Sequence, residues 1–306
     1  MARLKEYNGY YCESEYEYAF IGFLETEGWI YSSGNNISRV TKRDVLIADD
    51  FKKFIVDTNP DLTEDEVTQI FDNVRLVGSE SDFATLHKVY GWMVNGIQFT
   101  PQDGIARMIP LIDFKKDSNK NIFRVVNQFT VEYTNNGQKE NRRPDVLLFV
   151  NGMPLCVIEL KNPADANATI YDACEQINIR YWRDIPHLLH YCTLACISDG
   201  VKTRLGTVHT PYEHFYAWRR VNDGDAVYTL PFEETETMIK GVYAPERFLE
   251  IFRDYIYFQD SIYDSDEVEI VCRYPQFFAA RLLRQSIINS VVQKSGKGGT
   301  AHRQLS

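Results

Sequence analysis

Three charged residues with hydrolytic potential flank a predicted β-hairpin. Residues 143–163 read RPDVLLFVNGMPLCVIELKNP, with two apolar runs separated by an Asn-Gly pair. Asn-Gly between apolar runs is a strong hairpin signal. Asp145 lies six residues before this pair and Glu159 lies seven after it, so antiparallel pairing brings both acids to one end of the hairpin. Glu159 and Lys161 are two residues apart and would share one face of a strand.

Two carboxylates and an ammonium group at one place indicate metal-assisted phosphate chemistry. Converging carboxylates repel each other unless a cation lies between them. Hard oxygen ligands suit Mg²⁺, which keeps several waters and binds substrate phosphates. A protonated lysine is not a metal ligand, but it can orient a water or stabilise charge on phosphorus. The residue types therefore predict phosphodiester hydrolysis, and the alternative is a salt bridge at the end of a hairpin.

Composition indicates a globular chain with an acidic surface. The 306 residues are 44% hydrophobic and 25% charged, enough for a sizeable core, and the formal net charge is −10. Because this overall charge repels phosphate, a nucleic-acid partner must meet a local basic strip. Arg142, Arg143, Arg180 and Arg183 are candidates for that strip. The same arginines could equally pair with the surplus acids.

Cysteine usage and the absence of long apolar runs predict a cytoplasmic protein. The six cysteines include no CxxC pair and lie mostly in apolar patterns, which is typical of reduced, buried thiols. The N-terminal segment has no apolar signal core, and no stretch approaches the roughly 18 apolar residues of a membrane span. His187 and His190 form HxxH, but a zinc site lacks a convincing third ligand.

The elements that would position the acids are predicted as a mixed sheet with flanking helices. Helical spacing covers residues 13–27 before Gly28, and two helices are predicted within 41–77, the second opened by a capping box at Thr63 and Glu66. Residues 85–99 are expected to hold a further helix. The strand-rich middle is followed by a helix at 169–185 and a strand at 190–198, an order that predicts an α/β fold. The later elements are predicted as irregular chain at 208–240, helices at 245–260 and 275–293, a linker between them and a disordered tail at 294–306.

The residues around the hairpin resemble a known nuclease family. Pro144-Asp145 and Glu159-Leu160-Lys161 look like the PD-(D/E)xK motif, which alone is loose. The wider stretch NRRPDVLLFVNGMPLCVIELKNP closely resembles the nuclease segment of type I restriction enzyme R (HsdR) subunits. SEYEYAFIGFLETEGW, ISDGVKTRLGT, HFYAWRR and GVYAPERFLEIFRDYIYF resemble other segments of that family. The resemblance runs along nearly the whole chain and implies a restriction-endonuclease-like mixed β-sheet flanked by helices.

The resemblance also implies roles for individual residues. Asp145 and Glu159 would hold Mg²⁺ with help from the Leu160 carbonyl, and Lys161 would assist the attacking water. The family usually adds an acidic residue on its first helix, and Glu17 occupies the matching place.

A QxxxY element follows the lysine in the family, and its spacing differs here. Gln176 matches the glutamine, but the next tyrosine is Tyr181 and position 180 is arginine. Gln176 is expected in the catalytic set. Arg180, one turn from Gln176, could reach a phosphate. We expect DNA contacts from Arg143, Arg180 and Tyr181.

The family couples its nuclease to an ATP-driven DNA translocase, and the sequence contains no GxxxxGK[ST] phosphate loop. RYPQFFAARLL resembles the segment just before that loop, where Gln276 would contact adenine. We expect an endonuclease domain with an N-terminal helical part at 1–260. Residues 261–306 are expected to form a linker and the first helix leading to an absent translocase domain, with ATP bound only in the full-length protein.

The expected function is that of the Mg²⁺-dependent DNA endonuclease domain of a type I restriction-modification R subunit. It would cleave double-stranded DNA after translocation, in a complex with methyltransferase and specificity subunits. The alternative is a nuclease-like docking module without catalysis, which would bind the motor and the methyltransferase subunits. An autonomous nuclease is a third possibility, disfavoured by the negative charge and by the segment that resembles the approach to a motor.

Overall fold

The computed structural model describes residues 13–78, 80–116, 120–162, 169–227, 231–259 and 267–292. The helices are α1 (Glu13–Thr26), α2 (Ala48–Thr58), α3 (Glu64–Arg75), α4 (Asp82–Asn95), α5 (Ile170–Glu175), α6 (Trp182–Asp184), α7 (Pro186–Leu189), α8 (Pro231–Met238), α9 (Pro245–Asp254) and α10 (Tyr274–Val292). Two π-helical segments, Gln176–Tyr181 and Ile239–Tyr243, and two 3₁₀ turns, Gly34–Asn36 and Tyr212–His214, complete the helical structure of these ranges.

The strands are β1 (Ile30–Ser33), β2 (Ile97–Phe99), β3 (Arg107–Ile109), β4 (Phe123–Asn127), β5 (Val131–Asn135), β6 (Gln138–Arg142), β7 (Val146–Val150), β8 (Met153–Leu160), β9 (Leu194–Ser198), β10 (Thr203–Thr207), β11 (Ile256–Gln259) and β12 (Val268–Val271). Six of them form a central sheet in the order β1-β4-β7-β8-β9-β10. The β1–β4 and β8–β9 pairs are parallel and the other three are antiparallel. The predicted mixed sheet flanked by helices, with a restriction-endonuclease-like architecture, is confirmed.

The two central strands are buried on both faces. Every residue of β7 and of β8 is buried. A strand covered on both faces needs apolar side chains at every position, so its sequence does not alternate. This explains the continuous runs VLLFV and PLCVIEL. It also means that a charged residue at the end of β8 lies beside a dry core.

The predicted hairpin turn between β7 and β8 is confirmed. Asn151 has φ 51° and Gly152 has φ 76°, and both positive values are required by a type I′ turn. The Asn151 side chain donates to the Leu111 carbonyl oxygen at 2.9 Å and accepts from the Ile122 amide at 2.8 Å. The Gly152 carbonyl accepts from the Ile47 amide at 2.8 Å, next to the start of α2. Hydrogen bonds to three other segments therefore hold the turn in place.

The N-terminal helices also follow the sequence pattern. Thr63 accepts from the Glu66 amide while the Glu66 carboxylate accepts from the Thr63 amide, so the predicted capping box opens α3. Gly28 has φ 105° just beyond the end of α1. The predicted helix within 85–99 ends before Gly96, and β2 follows it.

Residues 122–133 form two strands where the sequence predicts one run. β4 belongs to the central sheet, whereas β5 pairs with β6 in a separate hairpin. The break occurs at Gln128, which has φ 54°, a value that a continuous strand does not allow. The β5–β6 hairpin turns at Asn136 and Gly137, both at positive φ. Asn136-Gly137 is thus a second Asn-Gly hairpin turn in the chain.

Two regions after β9 differ from the sequence-based expectation. The second half of the supposedly irregular 208–240 stretch holds α8 and leads into the π-helix that ends at Tyr243. Its polar pattern is misleading because Thr235 and Thr237 are buried, and the Thr235 hydroxyl bonds to Thr203 at 2.7 Å. The helix predicted for 245–260 ends at Asp254, and β11 follows.

The predicted domain boundary at 260/261 lies between two strands that pair. β11 and β12 are antiparallel partners, and Phe277 and Phe278 at the start of α10 are buried against Trp218. Residues 268–278 therefore pack on the same body as the preceding chain. Within the described part of α10, no residue after Phe278 is buried, and the exposed apolar side chains include Leu282, Ile287, Ile288 and Val291. The predicted tail and most of the predicted linker lie outside the described residues.

The thiols are arranged as predicted where the structure describes them. Cys156, Cys174, Cys192 and Cys196 are buried and free, and Cys272 is partly buried and free. In the described ranges, none of the helices combines the length and the apolar composition that crossing a lipid bilayer requires.

The two Asn-Gly turns give a matched test of how the fold uses glycine. At Gly152 a Cβ atom would overlap the Ile47 carbonyl oxygen, whereas at Gly137, with φ 78°, a Cβ would meet open space. We expect Gly137→Ala to cost about 1 kcal/mol from backbone strain alone. Gly152→Ala should cost about 2 kcal/mol more because the backbone must also move. Urea unfolding of both variants measures the difference, and equal costs would contradict the buried position of the β7–β8 turn.

Candidate functional site

A bulge in β8 places the two predicted acids opposite each other. Val146 pairs with Ile158, but the register shifts by one residue between Leu148 and Phe149, so β8 carries one extra residue. Without that shift Asp145 would continue the ladder opposite Ile158. With it, the next position opposite Asp145 is Glu159, and the Leu160 amide donates to Asp145 Oδ2 at 2.8 Å. The difference between six and seven residues on the two sides of the turn is thus absorbed by the bulge.

Glu159 lies at the centre of a hydrogen-bonded cluster. Its side chain is 0% exposed, and the Tyr181 hydroxyl donates to Oε1 at 2.6 Å. Gln176 Nε2 donates to Glu159 Oε2 at 2.6 Å, while Gln176 Oε1 accepts from Lys161 Nζ at 3.0 Å. The Asp145 carboxyl neighbours the Glu159 carboxyl and shifts its pKa. The structure therefore brings Asp145, Glu159, Lys161 and Gln176 together, as predicted.

The electrostatics of the cluster favour an added positive charge. Burial raises the pKa of Glu159 well above its usual range, and the neighbouring Asp145 carboxylate raises it further. Burial also raises the pKa of Asp145, although the Leu160 amide opposes the shift. The Lys161 ammonium lowers the pKa of both acids, but it does not offset burial. Both shifts disfavour the doubly ionised pair, and a cation placed between the two carboxyls would relieve their repulsion.

A π-helix explains the altered spacing between Gln176 and Tyr181. Residues Gln176–Tyr181 form one π-helical segment between α5 and α6. A π-helix hydrogen-bonds from i to i+5, so residues five apart lie above one another, whereas an α-helix aligns residues four apart. Gln176 Nε2 accordingly donates to the Tyr181 hydroxyl at 2.8 Å. The extra residue in the sequence widens the helix locally and leaves glutamine and tyrosine on the same acid.

Tyr181 faces inwards and not towards a DNA surface. Its side chain is 1% exposed, and its hydroxyl is held between Glu159 and Gln176. Tyr181 was expected to contact DNA, but the π-helix directs its side chain at Glu159. Arg180 and Arg143 are exposed, as a phosphate contact requires.

Two of the four candidate arginines pair with an acid. Arg142 and Arg183 both contact Asp184, at 2.6 and 2.7 Å, and Arg142 also lies over the Tyr133 ring. Hydrogen bonds, first from Arg183 and then from Arg142, together with their charges, lower the pKa of Asp184 to about 2 although partial burial opposes this. The sequence left open whether these arginines contact DNA or pair with acids. Arg142 and Arg183 pair with an acid.

Glu17 lies next to the cluster and is held by two amides. It is 5% exposed, accepts from Asn127 Nδ2 at 2.6 Å and accepts from Gln128 Nε2 at 2.8 Å. The Gln128 amide donates to the Asp145 carbonyl at 3.2 Å, so Gln128 links Glu17 to the strand that carries Asp145. The positive φ of Gln128 turns the chain away from the direction of β4. Sequence reasoning missed Asn127 and Gln128, which no motif marks.

The described residues include no large cluster of metal-binding side chains. Among those residues, no group of three or more His, Cys, Asp and Glu side chains is arranged to hold a metal ion. Glu17 therefore does not complete a three-acid site with Asp145 and Glu159. The histidines have other surroundings: His190 pairs with Asp82, and burial lowers the pKa of His187 to about 4.

Gln276 lies at the start of α10, away from these contacts. Its side chain is exposed, and its Oε1 accepts from the Arg273 amide at 2.8 Å. In this structure Gln276 caps the helix. The expected adenine contact stays a prediction for a longer protein.

The sequence matches a family model over more than half of its length. Residues 10–214 match the model described as "Type I restriction enzyme R protein N terminus". The chain belongs to this family. The resemblance inferred from the motif and its flanking segments is confirmed.

Two curated relatives extend the match beyond residue 214. The chain is 29% identical over 301 residues to the putative type I restriction enzyme MjaIXP endonuclease subunit of Methanocaldococcus jannaschii, covering 90% of this chain and 28% of that protein. It is 27% identical over 302 residues to the type I restriction enzyme HindI endonuclease subunit of Haemophilus influenzae, covering 94% and 27%. The chain spans less than a third of the length of these relatives.

The raised pKa of Glu159 predicts a stability that depends on pH. A buried carboxyl with a raised pKa stays protonated where the unfolded chain ionises, so its contribution is fully present below about pH 4 and is lost as pH rises through the folded-state pKa. In the presence of a chelator, we expect the free energy of unfolding to fall as pH rises above about 4. Asp145→Asn removes the repelling charge, and an amide oxygen can still accept from Leu160. It should reduce this loss by on the order of 1 kcal/mol.

The matched control for this measurement is Asp103→Asn. Asp103 is also an aspartate that accepts from a backbone amide, that of Ile105 at 2.9 Å, but it is exposed. Its substitution should leave the pH profile of urea unfolding unchanged. If Asp145→Asn lost stability in parallel with the wild type, the repulsion between Asp145 and Glu159 would be excluded as the cause.

Proposed function

We propose that this chain is a Mg²⁺-dependent endonuclease domain that hydrolyses phosphodiester bonds of double-stranded DNA. The observation that carries the proposal is the pairing of the partly buried Asp145 with the fully buried Glu159, with Lys161 held beside them through Gln176. Burying two acids in contact is unfavourable for folding alone. A site that receives a divalent cation and a phosphate explains why the sequence keeps them there.

The residues present fit a hard divalent cation. Asp145 and Glu159, with the Leu160 carbonyl, would supply oxygen ligands at the end of β8, which is the donor type that Mg²⁺ prefers. Tyr181 and Gln176 fix the orientation of the Glu159 carboxyl, as hydrogen-bond partners of metal ligands do. Mg²⁺ bound there would polarise the phosphate and lower the pKa of a bound water.

Lys161 and Gln176 act as one unit in this proposal. Gln176 accepts from the Lys161 ammonium and donates to Glu159. A single side chain therefore sets the spacing between the Lys161 ammonium and the Glu159 carboxyl. Lys161 is thereby placed to orient the attacking water or to stabilise charge on the phosphate. Glu17 contributes by holding Asn127 and Gln128 beside Asp145.

The wider setting of the reaction rests on family membership. The relatives are named as endonuclease subunits of type I restriction enzymes, and they are more than three times as long as the matched segment. We extend the proposal to a cleavage step that follows ATP-driven translocation. Partners would be the methyltransferase and specificity subunits of a restriction complex. Arg143 and Arg180, exposed near the site, would contact phosphates of the bound DNA.

A docking role without catalysis is the second candidate. It is favoured by the complete burial of Glu159, both of whose oxygens already have donors. In that case the cluster would be a structural network that shapes a platform for the other subunits. Metal binding separates the two candidates, because a purely structural network has no use for a divalent ion.

Calorimetric titration with Mn²⁺ is the decisive experiment for the metal. We expect the wild-type chain to bind the ion and Asp145→Ala to lose binding, because one of two charged ligands is removed. Asp103→Ala is the matched control and should bind like the wild type. Equal binding by wild type and Asp145→Ala would favour the docking role, irrespective of whether the separate domain cuts DNA.

Plasmid cleavage tests the role of Lys161. Lys161→Ala removes a group that is not a metal ligand, so Mn²⁺ binding should persist while the cleavage rate falls by about a hundredfold or more. A variant that cuts at the wild-type rate would remove Lys161 from the mechanism and leave the metal proposal intact.

A further inference from the structure

A second candidate binding site lies at the other end of the central sheet. A cavity of about 760 Å³ is lined by residues that include Phe123, the first residue of β4. The last residue of β4, Asn127, contacts Glu17 beside the acid pair. Four residue steps along a strand span about 13 Å. The cavity and the Asp145–Glu159 cluster therefore occupy different places on the protein, and we refer to the cavity as the basic groove.

The basic groove carries positive charge although the chain as a whole is acidic. Seven of its lining residues are Lys or Arg and two are Glu, whereas the formal net charge of the chain is −10. These cations come from separate elements that meet at the groove. The loop after β3 contributes two lysines, the π-helical segment Ile239–Tyr243 contributes one, and α9 and α10 contribute two arginines each: Lys115, Lys116, Lys240, Arg247, Arg253, Arg281 and Arg284.

The positive charge is only partly neutralised within the protein. Arg281 contacts Glu250 at 3.6 Å, Arg253 contacts Asp254 at 2.7 Å, and Lys240 contacts Glu236 at 2.5 Å. Burial and the neighbouring Arg281 lower the pKa of Arg247, which means that cations crowd one another here. For Lys115, Lys116 and Arg284 no ion pair with a described acid is found. Crowded cations that lack acidic partners create a local positive field that attracts an external anion.

We propose that the basic groove binds the phosphate backbone of duplex DNA at a site separate from the cleavage site. Arginine forks match the geometry of phosphate oxygens, and arginine is the commonest groove cation by four to three. Cations spread over four elements fit a repeating anion better than a single ionic group. The choice of DNA as the anion rests on the proposed endonuclease function. The existence of the groove and its positive charge are independent of that function.

A site away from the scissile bond holds DNA without taking part in the chemistry. Substitutions in the groove should therefore weaken binding and leave the cleavage rate at saturating DNA unchanged. A neutralised phosphate contact also lowers the salt dependence of binding, because fewer counterions are released. These two signatures distinguish groove residues from Asp145 and Lys161.

The test uses the full chain and a fluorescein-labelled duplex of arbitrary sequence, titrated by anisotropy in a chelator at several salt concentrations. The double variant Lys116→Gln/Arg284→Gln should bind about tenfold more weakly at low salt, and its salt slope should fall by about two. The matched control is Lys53→Gln/Lys88→Gln, which removes the same charge from α2 and α4, outside the groove. It should keep the wild-type slope.

Each other outcome bears on the proposal. Equal slopes for the groove variant and the control overturn it, even if the chain cuts DNA. A groove-dependent slope supports it, even if neither the wild type nor Asp145→Asn cuts. If poly-glutamate displaces the duplex at equal charge concentration, the groove is selective for acidic polypeptide as much as for DNA, and the proposal fails. Thermal unfolding checks that the variants are folded, and Lys115→Gln/Lys116→Gln is the replacement if the first pair is not.

Discussion

The contact between two carboxyl groups at the end of a dry strand is the constraint around which the site is organised. β7 and β8 are buried on both faces, so Glu159 has no access to bulk water to stabilise its charge. Its hydrogen-bond donors are Tyr181 and Gln176, and the neighbouring Asp145 carboxylate raises its pKa beyond the effect of burial. An arrangement so unfavourable for stability is typical of functional sites, where shifted pKa values accompany binding or catalysis.

Three departures from regular backbone surround this contact: two deliver side chains to it, and the third holds the neighbouring Glu17. The β8 bulge moves Glu159 opposite Asp145, and the π-helix turns Tyr181 and Gln176 onto Glu159. The positive φ of Gln128 aims its amide at Glu17. Regular elements would place each of these side chains about one residue out of position. Such irregularities carry a cost in stability. Their concentration around one cluster indicates that the geometry of the cluster depends on them.

The sequence was sufficient for the hairpin, the acid pair and the fold class, because these depend on local turn chemistry and on apolar runs. It also contained traces of the irregular features. The six-to-seven asymmetry around the Asn-Gly turn is the trace of the bulge, and the five-residue step from Gln176 to Tyr181 is the trace of the π-helix. Neither trace can be interpreted without knowing which residues must meet. Gln128 left no trace, because its partners Glu17 and Asp145 are distant in sequence and no motif marks the contact.

The distribution of charge follows from the same logic of separation. At one end of β4 the chain concentrates buried acids whose repulsion a cation would relieve, and at the other end it gathers cations whose repulsion an anion would relieve. If the opposite charges lay together, they would neutralise each other and leave neither site able to bind a ligand. The rigid, fully buried β7–β8 pair keeps them apart, since a strand spaces its ends by about 3.3 Å per residue. The apolar core of the sheet thus has an electrostatic role, which is to keep the acid pair and the cations of the basic groove at separate places in one folded body.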